Sequence, residues 1–391
     1  TMTEKFSSSP RGLLERLRGD DENFSVIVFE DFLQAFWSEL IVKGADGRIE
    51  ELAPWIAASA LPSVPRVDGA TAASVPIVGS LTYLDVVRDV ASVTVLVVVE
   101  GMFTAHGAGG SSSCWVRDEL RLARARRARS RAPGPVNLHI CPSCGAPATE
   151  ARTGRCPYCG QVVNDGRFDW VLTTARRVAF ERRPPQLTEH AVERGNDLPT
   201  VQARDVGAAL AELRASDPSF SDQAFEARVA LAFDELQQGW SALDLARIRP
   251  WVTDRQLASL AFWVEAYRAA GLRNVTRGRI VRTDLARVTR DRWFDAITVR
   301  VFATGIDCTV DAGGAVVAGS DREERAYTEY WTMIRGTAAR GASRIDRGCP
   351  SCGAPLAIDM AGSCAHCKAH VVAGEFDWVL SRIEQDEVYQ G

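Results

Sequence analysis

One short stretch occurs twice, and it constrains everything around it. Residues 141–172 and 349–380 both read Cys-Pro-Ser-Cys-Gly-Ala-Pro, a spacer, Cys-x-x-Cys, a short apolar run and Phe-Asp-Trp-Val-Leu. The offset is 208 at the first cysteine (349 − 141) and again at the tryptophan (378 − 170), with no gap between them. About half of the aligned positions are identical. The chain therefore carries an internal duplication, and each half is read against the other.

Each stretch is a pair of Cys-x-x-Cys knuckles: Cys141, Cys144, Cys156 and Cys159 in one, Cys349, Cys352, Cys364 and Cys367 in the other. Two knuckles place four thiolates around one ion and close a tetrahedron, the pattern of a zinc ribbon. Gly145, Gly160 and Gly353 follow knuckles, where a tight turn needs positive φ. Four thiolates leave no coordination position open, so the expected role of two Zn²⁺ ions is structural. A ribbon of this size buries too little apolar surface to fold alone, and metal binding, worth about 10–16 kcal/mol in zinc-finger peptides, supplies the difference. Two disulfides per set, or iron of the rubredoxin type, are the alternatives.

The repeat extends beyond the ribbon. Asp21-x-x-Phe24-Ser25-x-x-x-Phe29-Glu30 matches Asp217-x-x-Phe220-Ser221-x-x-x-Phe225-Glu226 at an offset of 196, and the match continues to Pro54-Trp55 against Pro250-Trp251. The duplicated unit is thus a domain followed by its ribbon. In the second copy Phe220, Phe225, Val229, Phe233, Leu236 and Trp240 recur at helical spacing after Ser221, a candidate N-cap. A short helix ends near Pro250, and a third covers residues 254–270 before Gly271. Alternating patterns then predict strands over 274–290, 296–304 and 325–335, with a hairpin turn at Ala312-Gly313-Gly314. The first copy keeps the opening helix (24–40) and strands over 82–90 and 91–100, with 114–122 closing the sheet. Pro62, Pro65, Gly69, Pro76 and Gly79 break the stretch where its third helix would lie.

These patterns give an α+β chain: an N-terminal segment (1–20) with a short helix over 13–18, a degenerate first cone (21–135), ribbon one (136–172), a linker (173–204), a second cone (205–340), ribbon two (341–380) and an acidic tail (381–391). Residues 205–215 form an amphipathic helix candidate ahead of Asp217.

Composition restricts function more than it assigns one. With a formal net charge of −4, no global positive field draws in nucleic acid. Lys5, Lys43 and Lys368 are the only lysines, a bias that points to a GC-rich bacterial genome. Cys114 and Cys308 remain as free thiols, which suits a reducing cytoplasm. No signal peptide is recognised, and the longest apolar run, residues 93–99, is too short to span a bilayer.

Asp217-Pro218-Ser219-Phe220-Ser221, Trp240-Ser241, Leu245 through Pro250-Trp251, Asn274-Val275, Asp295-x-x-Thr298-Val299 and Glu329-Tyr330-Trp331-Thr332 carry a resemblance. The stretch 217–335 resembles the C-terminal domain of the mitochondrial inner-membrane translocase subunit forty-four. The resemblance implies a nuclear transport factor two-like cone, a curved sheet and long helix around a concave pocket, and roles in protein complexes or at membrane surfaces. It covers the second copy and its ribbon well and the first copy weakly. The mitochondrial member's chaperone-recruiting region has no counterpart, so transport is not carried over.

Three groups of side chains are candidates for function. Arg117, Arg121, Arg124, Arg126, Arg127, Arg129 and Arg131 form a basic run that could take nucleic acid or anionic lipid. Its default reading is a solvated face, with charge removal at Arg124, Arg126 and Arg127 leaving stability unchanged. Phe168, Trp170, Phe376 and Trp378 are expected to dock each ribbon on its cone, with Asp169 and Asp377 capping that junction. Asp295, Asp307, Asp311 and Tyr330 are the nearest approach to an acid–base set, and strand-end charges and a core aromatic are the plainer reading. Five histidines (His106, His139, His190, His366, His370) offer surface or supporting roles. The reading that results is a non-catalytic cytoplasmic scaffold for a protein partner, membrane-peripheral at most. Anion binding and a small-molecule enzyme in the second cone are the alternatives, and the sequence sets no oligomeric state.

Overall fold

Apolar side chains alternating with polar ones build a four-stranded antiparallel sheet in each half of the molecule. A computed structural model of the chain describes residues 10–134, 138–148, 151–188 and 195–391, and the chain divides into two units, 1–184 and 185–391.

In the first unit a short helix α1 (Pro10–Glu15) precedes α2 (Val26–Ala45). Ser25 caps α2, its hydroxyl accepting from the Val28 amide, which satisfies one of the helix's orphan donors. Phe29, Leu33, Phe36, Trp37 and Leu40 fall on one side of α2 and are buried. That stripe packs on the sheet β1 (Ala70–Arg88), β2 (Ser92–Gly107), β3 (Gly110–Ala125) and β4 (Val171–Arg182), paired in that order. Four register shifts interrupt the β1–β2 pairing, and such irregularities bend and twist a sheet.

The second unit repeats the plan with more helix. A helix α3 (Val206–Ser216) leads to α4 (Asp222–Ala242), which Ser221 caps through the Ala224 amide. Two further helices follow, α5 (Leu245–Ile248) and α6 (Asp254–Ala269). The sheet is β5 (Arg273–Arg290), β6 (Phe294–Val310), β7 (Val316–Gly336) and β8 (Val379–Gln385), again in sequential order. Phe225, Val229, Phe233 and Leu236 from α4 meet Val299, Val301, Trp331 and Met333 in the core.

Several expectations need correction. Residues 173–204 are not all linker, because β4 runs to Arg182 and pairs with β3. Residues 381–391 are not a free tail, because β8 continues to Gln385 and Tyr389 stacks on Tyr330 at 3.8 Å. The stretch 114–122 lies within the third strand of its sheet rather than the closing one. Each ribbon is therefore set between the third and fourth strands of its sheet. The closing strands are hard to read because each is an edge strand rich in polar residues, and its partner lies across the whole ribbon. The first unit has no third helix among its described residues. A 3-10 turn (Leu61–Ser63) and the long β1 take that stretch.

His190 and parts of the expected N-terminal segment, first ribbon and linker lie outside the described residues. No helix among the described residues is long and apolar enough to cross a membrane.

Candidate metal centres and the joint beneath them

Within each cysteine set, all four sulfurs lie within 4.8 Å of one another. Cys141 and Cys159 are 4.0 Å apart, Cys144 and Cys156 3.9 Å, and Cys349 and Cys367 3.9 Å. Thiolates at about 2.3 Å from one ion would stand about 3.8 Å apart at the corners of a tetrahedron, whereas a disulfide needs about 2.05 Å. All ten cysteines are free thiols. Both sets thus fit a four-thiolate metal site and do not fit paired disulfides.

Backbone amides favour the thiolate at Cys159 and Cys367. The Gln161 and Ala369 amides are the largest influences holding Cys159 down to about 7 and Cys367 down to about 6. Each knuckle closes with a turn bond to its first cysteine's carbonyl, from Gly145, Gly160, Gly353 and Lys368 at 2.8–2.9 Å. The turn requires positive φ, and Lys368 adopts it at +62° where the first ribbon has Gly160 at +70°.

Beneath each ribbon lies a buried joint, built the same way twice. Asp21 is fully buried and pairs with Arg124 at 3.0 Å, and Asp217 pairs with Arg335 at 2.9 Å. Each arginine lies over the tryptophan of its Phe-Asp-Trp motif, Arg124 over Trp170 at 4.7 Å and Arg335 over Trp378 at 4.8 Å. The aspartates also accept backbone amides from the segment between the third strand and the ribbon, Ser130 at 2.8 Å and Gly341 at 3.1 Å. Burial lowers the proton affinity of Arg124, and Asp21 opposes that shift. Gly166 and Gly374 return the chain to the sheet, their carbonyls accepting from Ala125 and Gly336 at 2.7 and 2.8 Å. The strand after each ribbon then forms a parallel bridge to the turn after the long helix, Leu172 to Ile56 and Leu380 to Val252.

Of the residues expected to dock the ribbons, Trp170 and Trp378 enter the cores, 3% and 0% exposed. Trp170 meets Phe29 at 4.8 Å and Trp378 meets Phe225 at 5.2 Å. Phe168 packs within its own ribbon, and Phe376 is exposed. Asp169 and Asp377 each accept the amide of the next tryptophan, at 2.8 and 2.7 Å. Asp169 also pairs with Arg131, and Asp377 accepts the Arg344 amide.

The arginine run does not form one solvated face. Arg124 is 3% exposed and belongs to the joint, so removing its charge is not neutral for stability. Arg126 pairs with Asp20, Arg129 donates to the Asp20 carbonyl, and Arg117 pairs with Glu100. Arg121 and Arg127 are exposed. The signal was in strand parity: positions 114, 116, 118, 120, 122 and 124 of β3 are all buried.

The same parity exposes Asp118, which sequence reading missed. It accepts from Trp37 Nε1 at 3.0 Å and from Arg177 at 2.8 Å. Its counterpart is Glu329, which accepts from Trp331 Nε1 at 2.9 Å and Gln385 at 3.0 Å. Burial pushes the Glu329 carboxyl above its ordinary value, against those two hydrogen bonds.

The acid–base candidates do not converge. Asp295 faces Arg290 at 3.3 Å, Asp307 pairs with Arg325, and Asp311 holds the hairpin turn through Gly313 and Ala315. Tyr330 accepts the Val201 amide and stacks on Tyr389. His106 hydrogen-bonds with Ser74 and Ser111, His370 pairs with Glu375, and the His366 amide donates to Cys364 Sγ.

No curated protein matches the chain. Residues 206–343 match the Tim44-like domain family, a stretch that runs from α3 through β7 and stops before the cysteines of the second ribbon and β8. The similarity to the Tim44-like domain family is thus confined to this stretch of the second unit.

Proposed function

We propose that this protein is a non-catalytic cytoplasmic scaffold, with one structural zinc ion in each ribbon. The observation that carries the reading is the placement of a four-thiolate site within each sheet. Metal there would tie the third strand to the fourth, and its coordination sphere would be complete without substrate or water. Thiolates in a tetrahedron suit zinc and also admit iron, so the metal is read directly by elemental analysis. A Tim44-like domain supports a protein partner.

The test is a pull-down from native lysate with the metal-loaded chain as bait, eluted at low and then high salt. A stoichiometric protein surviving the high-salt wash and two zinc ions per chain are the expected results. Nucleic acid or lipid released by salt alone would overturn the scaffold reading in favour of the exposed arginines.

A further inference from the structure

The two units keep the same walls around one spot and differ in what fills it. In the first unit α2, the turn at Trp55 and the foot of the ribbon surround a cavity of about 280 Å³. Phe24, Phe29, Trp55 and Trp170, each 1–3% exposed, form its inner wall, with Phe32 beside them. Arg131, Ala132 and Gly134 form an exposed rim. The repeat maps Phe24, Phe29, Trp55 and Trp170 onto Phe220, Phe225, Trp251 and Trp378. Phe32 maps onto Arg228.

Arg228 acts as a plug. Its guanidinium lies 4.6 Å over Trp251, donates to the Trp378 carbonyl at 3.1 Å and the Arg344 carbonyl at 3.2 Å, and stands 3.9 Å from Asp377. Phe32 instead stacks along its own helix on Phe36, with ring centroids 5.6 Å apart and planes 6° from parallel. In the first unit Phe32 meets Trp55 at 5.7 Å and Arg131 stands over the same ring from the rim, paired with Asp169, and a cavity remains between them.

The chemistry of the walls selects an occupant. Two ring faces already carry guanidinium groups, Arg124 over Trp170 and Arg131 over Trp55 at 5.6 Å. Asp21 and Asp169 balance those charges. Asp169 and Arg131 are the charged groups lining the cavity and they already pair with each other, so an ionic occupant finds no unpaired counter-charge and a neutral group is favoured. A cavity of about 150 Å³ lined by apolar side chains takes benzene, so this one has room for a fused bicycle. Asp169 accepts one bond at each oxygen, from Trp170 and Arg131, and a carboxylate has about four acceptor sites. Acceptor capacity therefore remains at the rim for one donor.

We propose that this cavity binds a neutral planar aromatic group bearing one hydrogen-bond donor, of the indole or phenol type, with its ring against Phe29, Phe32 and Trp170 and its donor on Asp169. The group could arrive as a free small molecule or as a tryptophan or tyrosine side chain of a partner. Only the second source rests on the scaffold reading, so loss of that reading leaves the site itself standing.

The test is calorimetric titration of the full-length, metal-loaded protein with indole, phenol, N-acetyltryptophanamide and N-acetyltyrosinamide. One equivalent should bind with a negative heat-capacity change. Phe32→Arg, which places the second unit's arginine here, and Val28→Trp, which fills the cavity from one turn earlier on the same face of α2, should each weaken binding at least about tenfold, the loss of some 1.4 kcal/mol. Both should keep the parent's metal content. Amides binding as well as indole identifies a partner side chain, and indole or phenol alone identifies a small molecule; either supports the site. No binding by any of the four at their solubility limits overturns it, as does undiminished binding in both variants. Should Phe32→Arg fail to fold, Val28→Trp alone decides.

Discussion

The two units share a capped long helix, a sheet order and the ribbon's foot, and differ in the helices and buried charges around them. Both bury an aspartate against an arginine over a tryptophan, and both return the chain to the sheet through a glycine at positive φ. Above that joint they diverge. The second unit has α6, and the first has a 3-10 turn and a long β1. Asp118 faces Arg177 in one, and Glu329 faces the uncharged Gln385 in the other. β2 sets Val93 against Arg124, whereas β6 sets Asp295 against Arg335. The common requirement is therefore mechanical: a four-cysteine insertion must be fixed to its sheet, whatever the rest of the unit does.

Removing a thiolate tests that requirement most severely. Cys144→Ser or Cys352→Ser should cost one of two bound metal ions and most of the roughly 10–16 kcal/mol that such a site contributes. Because each ribbon joins the third strand to the fourth, the loss should spread to β4 or β8 and raise amide exchange there first. Elemental analysis and hydrogen exchange read both effects. Acid should act in the same direction, since protons compete with metal for the thiolates and metal-derived stability falls as pH drops. Loss of metal with an unchanged melting curve would break the idea that ribbon and sheet are one cooperative structure.

The joint itself comes next. Asp21→Ala and Asp217→Ala each strand a buried guanidinium, which costs about 3–5 kcal/mol. Arg124 keeps a bond to Ser130 Oγ at 3.0 Å, and Arg335 keeps one to the Gly341 carbonyl at 3.0 Å, so the two losses should be similar. Denaturant midpoints of the two variants compare them directly. A large cost in one unit with none in the other would show that only one joint bears the ribbon.

Much of this was legible in the sequence. The cysteine spacing, the 208 and 196 offsets and the Ser25 and Ser221 caps follow from local chemistry and survive in the structure. The joint was visible only in pieces. Asp21, Asp217, Trp170 and Trp378 stood out as repeated residues, but their partners Arg124 and Arg335 lie far away in sequence. Arg124 was further hidden among exposed arginines, where only strand parity separates it from Arg121 and Arg127. The closing strands were lost for a related reason. A stretch such as 173–182, with Arg176, Arg177 and Arg182, reads as polar linker until its pairing across the ribbon is known.

Glycine at the return turn should matter less than the charges, but in both units. A Cβ on Gly374 would stand 3.0 Å from the Cα of Arg335, and one on Gly166 would stand 3.2 Å from the Cα of Arg124. The contact atoms are backbone and cannot swing away, and φ is +85° and +79°. Gly374→Ala and Gly166→Ala should each lose about 1–3 kcal/mol. Gly374→Ala should lose slightly more, its contact being closer. Thermal melting that fails to register either substitution would mean that the ribbon's foot can shift without cost.

The smallest effect should be a gain, and it converts one unit's choice into the other's. Asp295 is 1% exposed, and neither of its oxygens has a hydrogen-bond partner. Burial raises its proton affinity, and Arg290 and Arg335 only partly oppose that. A carboxyl whose folded value is raised stabilises the fold fully below its unfolded value, near 3.9, and loses that contribution as pH rises through the folded value. At neutral pH the ionised Asp295 is therefore a burden that Val93 avoids in the first unit. Asp295→Val should raise stability by about 1 kcal/mol at pH 7 and by less near pH 4, since acid shifts the raised carboxyl toward its neutral form. Arg335 keeps Asp217 as its partner, and Arg290, which loses its ion pair with Asp295, is part-exposed and keeps its bond to Ser216. Denaturation at the two pH values decides the matter: a loss at pH 7 would mean that Arg335 needs both carboxylates, and that the two joints are not equivalent after all.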